Sequence, residues 1–553
     1  MCGFCLSVNA SMNSLANGPS IDIRSLTESI KHRGPDSTKY YVDSAVHCGF
    51  NRLAIVDDDR LSDQPMLDST GRYLLVFNGE IYNHNELRDW LAAKHHVEFM
   101  TRSDTEVLLK GLISEGAGFV SKLDGIFAFA FVDLKSLKVM LARDVFGVKP
   151  LYYFSQGNRI CVSSEVRPLR KASGNSVDFA NLARYLSYGT VSNGETIVAG
   201  VNELPPNTIR EFVPGESVRT NSVHHFSYGV NGELQFDELR NALFKTIESQ
   251  KPAIRYGVLF SGGLDSTLIL SRCAGDANFA GAYSVDVDHP DMSERKWQES
   301  ARRILGVSAD DHRSINLTRD HLSLESVAKI AANIDHPFFH PNFIGSYLIT
   351  QKASQDGLKV LLSGEGADEL FLGYRWFFSR QPASSYLEYV PLDDLQALLG
   401  VPASEPIQTS GLSLLEIFQK IYLQRWLVRQ DLTGMANSIE VRVPFLGNEL
   451  ARKVNDLSID LKMGDGDGKW IIKKLLSDQF PPEFVNRKKV GFDFPLNDWM
   501  DGSHIDFLRR SKLFDPAIVN RVLEKHRGSY MRNRIIFSLV SLALWFDSLG
   551  RGA

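Results

Sequence analysis

A chain of 553 residues, 43% hydrophobic and 23% charged, is long enough for two or more domains with full cores and has the composition of an ordinary globular protein. A net charge of -5 gives no support for a nucleic-acid partner, leaving only a local basic groove for one, and five cysteines (Cys2, Cys5, Cys48, Cys161, Cys273), odd in number and without a close metal-ligand cluster, point to a reducing compartment. No basic-then-apolar leader is visible. The most apolar late stretch, Ile535 to Phe546, is broken by Ser538 and Ser541 and is too short to span a bilayer, so the expectation is a cytoplasmic protein with a buried helix there and no membrane partner.

The chain begins Met1-Cys2-Gly3-Phe4. With Met1 removed, Cys2 carries a thiol nucleophile and, on the same residue, an α-amine whose reference pKa of about 7.7–8.0 suits a base. His32-Arg33-Gly34-Pro35-Asp36, Arg52-Leu53, Gln64-Pro65-Met66, Phe77-Asn78-Gly79-Glu80-Ile81-Tyr82-Asn83-His84 and Ser103-Asp104-Thr105-Glu106 follow within one domain length. An enzyme that opens the side-chain amide of glutamine needs donors for a tetrahedral oxyanion, which the Asn78 amide and the Gly79 N–H supply. It also needs a fork of donors for the α-carboxylate, as in Arg52, and an acceptor for the α-ammonium, as in Asp104. Taken singly, the His32–Asp36 run also reads as a well-bonded turn and Asn78-Gly79 as a hairpin corner.

Together these runs resemble the class II, N-terminal-nucleophile glutamine amidotransferase domain of the asparagine synthetase family, and the resemblance continues through Leu123–Ala130 and Leu141–Tyr153. It implies an α+β layered sandwich in which Cys2 attacks glutamine, releases ammonia and forms a thioester cleared by water. Asn78 and Gly79 then stabilise the oxyanion, Arg52, Asn78, Glu80 and Asp104 form the glutamine site, and Glu80 chiefly supports its loop. Arg143, Asp144 and Lys149 read as a structural turn at the domain junction. The amidotransferase domain is expected over 2–213.

A helix is expected around Phe179 to Leu186 and a short strand near Asn207 to Val213. The turn-rich interval 214–235 reads as a linker, and a helix near Phe236 opens a second domain, 236–553. There Tyr256 to Phe260 is an apolar run ending in Ser261-Gly262-Gly263-Leu264-Asp265-Ser266-Thr267, a strand, tight turn and helix start whose N–H groups and hydroxyls make a nest for phosphate. The Gly-Lys-Ser/Thr ending of the kinase-type loop is absent, and an Asp beside phosphate fits a bridging Mg²⁺. Phe279 to Val285 and Lys359 to Leu362 read as further strands, with a helix from Glu294 to Leu305 capped by Gly306. Alternating strands and helices predict a parallel α/β sheet with ligands at the carboxyl ends of its strands, where Ser363-Gly364-Glu365-Gly366-Ala367-Asp368-Glu369 also falls.

The string SGGLDS resembles the pyrophosphate loop of the ATP pyrophosphatases, and SGEGADE resembles the acidic loop of the asparagine synthetase family. The resemblance covers nearly the whole chain and implies ATP and Mg²⁺ as cofactors. Leu259, Ser261, Gly262, Gly263, Asp265, Ser266, Thr267, Ser363 and Gly364 would hold the nucleotide, Asp265 and Asp368 the Mg²⁺, with Glu365 as late-step base. Either Lys488 or Lys489 would stabilise the departing pyrophosphate. Arg442 reads either as a contact of the acidic substrate site or, in the favoured reading, as structural, paired with Glu440 across a turn, and Lys469-Trp470 as part of a basic segment. The implied partners are glutamine and a carboxylate acceptor, aspartate first, with another small-molecule, peptide or sugar carboxylate as the alternative; a homodimer is a family-based expectation. Leu372 where the family often has Gly, Gly447 after Pro444-Phe445-Leu446, and the Asp335–Gly345 segment depart from the family pattern and leave adenylation more secure than strict recognition of aspartate.

Overall fold

The computed structural model describes all residues except 1, 11–20, 57–59, 175, 192–193, 215, 225–227, 229–234, 375–383, 404, 464–467, 488–492 and 551–553. Met1, Lys488 and Lys489 therefore lie outside the described residues.

In the first half, two six-stranded sheets pack face to face. One runs Asn202–Glu203, Tyr152–Gln156, Arg159–Ser163, Cys2–Asn9, Val46–Arg52, Ser37–Val42; the other runs Arg219–Ser222, Thr208–Phe212, Lys138–Arg143, Gly125–Asp133, Tyr73–Ile81, Met66–Leu67. Period-two alternation sorts the side chains. In Gly125–Asp133, Ala128, Ala130 and Val132 meet Phe4, Leu6 and Val8 between the sheets, while Phe127, Phe129 and Phe131 turn outward to Leu87, Leu91, Val107 and Leu108 on the helices His84–His95 and Asp104–Glu115. The small inward residues bring the sheets close around Cys2. The strand Arg219–Ser222 lies inside the interval read as a linker and extends the second sheet by pairing with Thr208–Phe212.

The second half is built on a five-stranded parallel sheet in the order His312–Leu317, Phe279–Val287, Tyr256–Leu259, Val360–Leu362, Glu440–Arg442. The expected helices form as Phe179–Tyr188, Phe236–Ser249 and Arg295–Ile304, the last followed by Gly306 at φ +70°. The late apolar stretch lies in Tyr530–Gly550, where Ile535, Phe537, Leu539 and Leu542 are buried. Among the described residues no helix is long and apolar enough to cross a membrane.

The halves are joined by two fully buried guanidinium groups. Arg33 makes a two-pronged pair with Asp431, 2.8 and 3.1 Å, contacts Glu165 at 3.2 Å, and donates from Nε to the Cys2 carbonyl at 3.3 Å. Arg442 pairs with Glu440 at 2.6 Å, as its spacing suggested, donates to the Gln250 carbonyl at 2.9 Å, and reaches across to Glu80 of the amidotransferase half. Asp144 closes the junction turn by accepting from the N–H groups of Phe146, Val148 and Lys149, and Arg143 donates to the Gly147, Lys149 and Leu204 carbonyls.

Removing one partner from a buried pair strands the other charge, at a cost of about 3–5 kcal/mol. Arg33→Met is therefore expected to lower the Tm markedly by leaving Asp431 without its buried counter-charge. Arg33→Met with Asp431→Leu should recover part of the loss, read by differential scanning fluorimetry.

Candidate active sites

Cys2 opens the strand Cys2–Asn9 directly opposite Arg52, the last residue of Val46–Arg52. Its backbone N–H donates to Asn78 Oδ1 at 3.1 Å, which orients the Asn78 amide. Asn78 Nδ2 is then buried with no hydrogen-bond partner in the structure, a donor left for a ligand, since an unpaired buried N–H costs about 1–3 kcal/mol. Asn78-Gly79 is not a hairpin corner: both residues lie inside the strand Tyr73–Ile81. A Cβ on Gly79 would stand 2.0 Å from the Ile126 carbonyl oxygen, so glycine is what lets the two strands approach here.

Cys2, Arg52, Gln64, Gly79, Glu80 and Asp104 line one cleft. The Arg52 fork is oriented by Asp63 at 2.7 Å and Ser62 at 3.0 Å. Asp104 is the first residue of its helix, N-capped by Ser103, and its Oδ2 accepts from the Ile81 N–H at 3.0 Å. Burial raises the Cys2 thiol above its ordinary 9.0, against the pull of a Leu53 backbone hydrogen bond and the Arg52 charge, so attack requires a local base. Burial also pushes Glu80 up to about 7, with Arg442 opposing and Glu440 and Asp104 adding.

The second site lies at the carboxyl ends of adjacent strands, Tyr256–Leu259 and Val360–Leu362. Leu259 ends the first. Ser266 Oγ contacts the Ser261 N–H and hydroxyl, each at 3.2 Å, and the Gly263 N–H donates to Ser261 Oγ at 3.2 Å, which curls the loop. Gly262 takes φ +76° against Gln298. Helix Leu264–Cys273 starts here, and the buried Thr267 hydroxyl and Asp265 Oδ1 have no hydrogen-bond partner. Gly364 fixes how closely the two loops lie, because a Cβ there would stand 3.0 Å from Asp265 Cβ and 3.2 Å from the Ser266 nitrogen.

Lys469 joins the acidic residues of both loops, 2.6 Å from Asp265 and 2.5 Å from Asp368. The sequence placed Lys469 only in a basic segment. Glu365 accepts from Arg429 at 2.6 Å and from Gln430 at 3.2 Å, and Gln430 also holds Ser363 Oγ at 2.8 Å. Arg429 and Gln430 carried no local motif. Asp431 is the next residue along and grips Arg33, so Cys2 O, Arg33, Asp431, Gln430 and Glu365 form one short chain of contacts between the sites. Leu372, standing where glycine was expected, is buried in the left-handed region at φ +57°.

A cysteine at position 2 between layered antiparallel sheets and a serine-glycine loop at the end of a parallel-sheet strand fit a two-centre amidotransferase–ligase. The comparisons with known proteins agree. The glutamine amidotransferase domain matches residues 1–223 and the asparagine synthase family matches residues 238–547; the chain belongs to the asparagine synthase family. It is 28% identical to asparagine synthetase [glutamine-hydrolyzing] 1 of Bacillus subtilis, over 95% of this chain and 93% of that protein. It is also 28% identical to a putative glutamine-hydrolysing asparagine synthetase of Mycobacterium tuberculosis (strain ATCC 25618 / H37Rv), over 93% of this chain and 92% of that protein.

Gly364→Ala is expected to force the two loops apart and raise the KM for ATP about tenfold or more, measured by ATP-pyrophosphate exchange, while glutamine hydrolysis persists.

Proposed function

We propose that this enzyme amidates aspartate to asparagine, using glutamine as nitrogen donor and ATP as the source of activation, with AMP and pyrophosphate as products. The observation that carries this reading is the single chain of buried contacts that ties the Cys2 cleft to the Glu365 loop. In the processed chain, 2–213 is the amidotransferase half and 236–553 the synthetase half, joined through 214–235.

The Cys2 thiol attacks the glutamine side-chain carbonyl, and its proton passes to the residue's own α-amine. Asn78 Nδ2 and the Gly79 N–H receive the oxyanion. Arg52 takes the α-carboxylate and Asp104 the α-ammonium, and Glu80 holds the strand end through Arg442. Ammonia leaves along the interface, and water releases glutamate from the thioester.

At the second site the acceptor carboxylate attacks the α-phosphorus of ATP, and pyrophosphate departs into the Ser261–Thr267 nest. Asp265 and Asp368 fit a divalent cation, because two carboxylates converge where Asp265 Oδ1 is buried without a hydrogen-bond partner. Mg²⁺ held there with phosphate oxygens would neutralise charge on the polyphosphate. Ser363 and Gly364 border the nucleotide. Lys488 or Lys489 remains the proposed partner of pyrophosphate. Ammonia then attacks the acyl-adenylate carbonyl, and Glu365, oriented by Arg429 and Gln430, takes the proton it sheds.

Cys2→Ala is expected to abolish glutamine-dependent asparagine formation and leave ammonia-dependent formation measurable. Loss of both activities would contradict the division of labour. ATP-pyrophosphate exchange by processed protein should be driven by aspartate above other carboxylates, and exchange driven by a different acid would keep the mechanism and replace the acceptor.

A further inference from the structure

The residues that directly follow Arg52, namely Leu53, Ala54, Ile55 and Val56, form one wall of the Cys2 cleft. The anchors of that wall come from the other half of the chain. Leu53 and Ile55 are buried in the same apolar core as Val360, Leu362 and Phe445 of the synthetase half, and the Leu53 backbone hydrogen-bonds the Cys2 thiol. Between them, Ala54 has only a methyl group to pack, and its peptide is held by polar contacts instead. Its N–H donates to Asp36 Oδ2 at 2.8 Å, and its carbonyl accepts from Lys359 Nζ at 3.1 Å. Lys359 Nζ also pairs with Asp36 Oδ2, at 2.7 Å. One carboxylate oxygen and one ammonium thus close a ring on Ala54.

Asp36 ends the His32–Asp36 run, and its own N–H donates to the Arg52 carbonyl at 3.0 Å, so the ring reaches the residue whose fork faces the cleft. Lys359 is the member that the synthetase half supplies. It immediately precedes the strand Val360–Leu362, which leads into the Ser363–Glu369 loop, and its carbonyl accepts from the Glu440 N–H at 2.7 Å. That strand is paired on both sides, with Tyr256–Leu259 and with Glu440–Arg442, and is a fixed mount for the ammonium. The side chains of Lys359 and Asp36 are 34% and 32% exposed, so their pairing places the wall more than it stabilises the whole fold.

We propose that Lys359 is a positioning residue for glutamine: from the synthetase half it holds the Ala54 peptide, and with it the wall and the Arg52 end of the cleft. This rests on the reading of the Cys2 cleft as the glutamine site. The Lys359 side chain contacts neither the Ser261–Thr267 loop nor the Ser363–Glu369 loop, so its loss acts on one centre only.

The test uses processed full-length enzyme and follows glutamate release from glutamine, product formation from ammonium, and hydrogen exchange in the peptide that spans residues 53–56. Lys359→Met should raise the KM for glutamine ~3- to 10-fold with kcat little changed, the effect of one partly exposed charge-assisted contact. Ammonium-dependent turnover and the Tm should stay as in the parent, and exchange at 53–56 should quicken. Lys359→Arg, which keeps the charge and the donors, should recover most of the KM. Asp36→Asn should raise the KM as well and add little to Lys359→Met, because both remove the same contact. A KM for glutamine unmoved in Lys359→Met, fully additive effects of the two substitutions, or an equal loss of ammonium-dependent turnover would overturn the proposal. If the parent enzyme releases no glutamate from glutamine, the reading of the cleft fails and exchange alone judges the anchor. Faster exchange at 53–56 in Lys359→Met then sustains it; unaltered exchange removes it.

Discussion

Arg33 is the constraint on which the two-centre arrangement depends. Its guanidinium is fully buried at the interface, with Asp431 and Glu165 on one side and the carbonyl of Cys2 on the other. A charge so placed tolerates little movement of its partners, because misalignment exposes the full desolvation cost of each ion. The Cys2 backbone is thereby tied to the synthetase half of the chain. Arg442 does the same for the facing sheet: its side chain holds Glu80 beside the Asn78-Gly79 pair, and its carbonyl accepts from the Ser363 N–H at 2.8 Å. The Cys2 cleft is therefore not set by its own domain alone.

Each half delivers its chemistry at an element end. Cys2 and Arg52 terminate paired antiparallel strands, and the phosphate nest and acidic loop terminate paired parallel ones. Strand ends free the backbone N–H groups and shed the neighbours that would fill the space, while the sheets behind stay rigid. Lys469 shows how the nucleotide side is balanced: Asp265 and Asp368 converge from different loops, and one ammonium bridges them.

Much of this was legible in the sequence wherever the information was local. The alternation in Gly125–Asp133, the strand–turn–helix at Ser261–Thr267 and the acidic run Ser363–Glu369 each declare themselves within ten or so residues, by periodicity and turn chemistry. Asn78-Gly79 was ambiguous because the dipeptide suits a hairpin as well; only pairing with Gly125–Asp133 makes it strand interior. The edge strand Arg219–Ser222 is exposed throughout and has no apolar alternation, so backbone pairing alone forms it. Arg429 and Gln430 meet Glu365 across 64 and 65 residues, and Lys469 meets Asp265 across 204, separations over which no spacing rule operates.

The central claim is that nitrogen released at Cys2 passes to the acceptor inside the protein. The most direct measurement supplies glutamine labelled at its amide nitrogen together with unlabelled ammonium in excess, and follows the label in the asparagine formed by mass spectrometry. Internal passage predicts that the product carries the glutamine label well above its share of the total ammonia pool, and that the excess shrinks when Arg33 is replaced. A product labelled in proportion to the bulk pool would contradict the account.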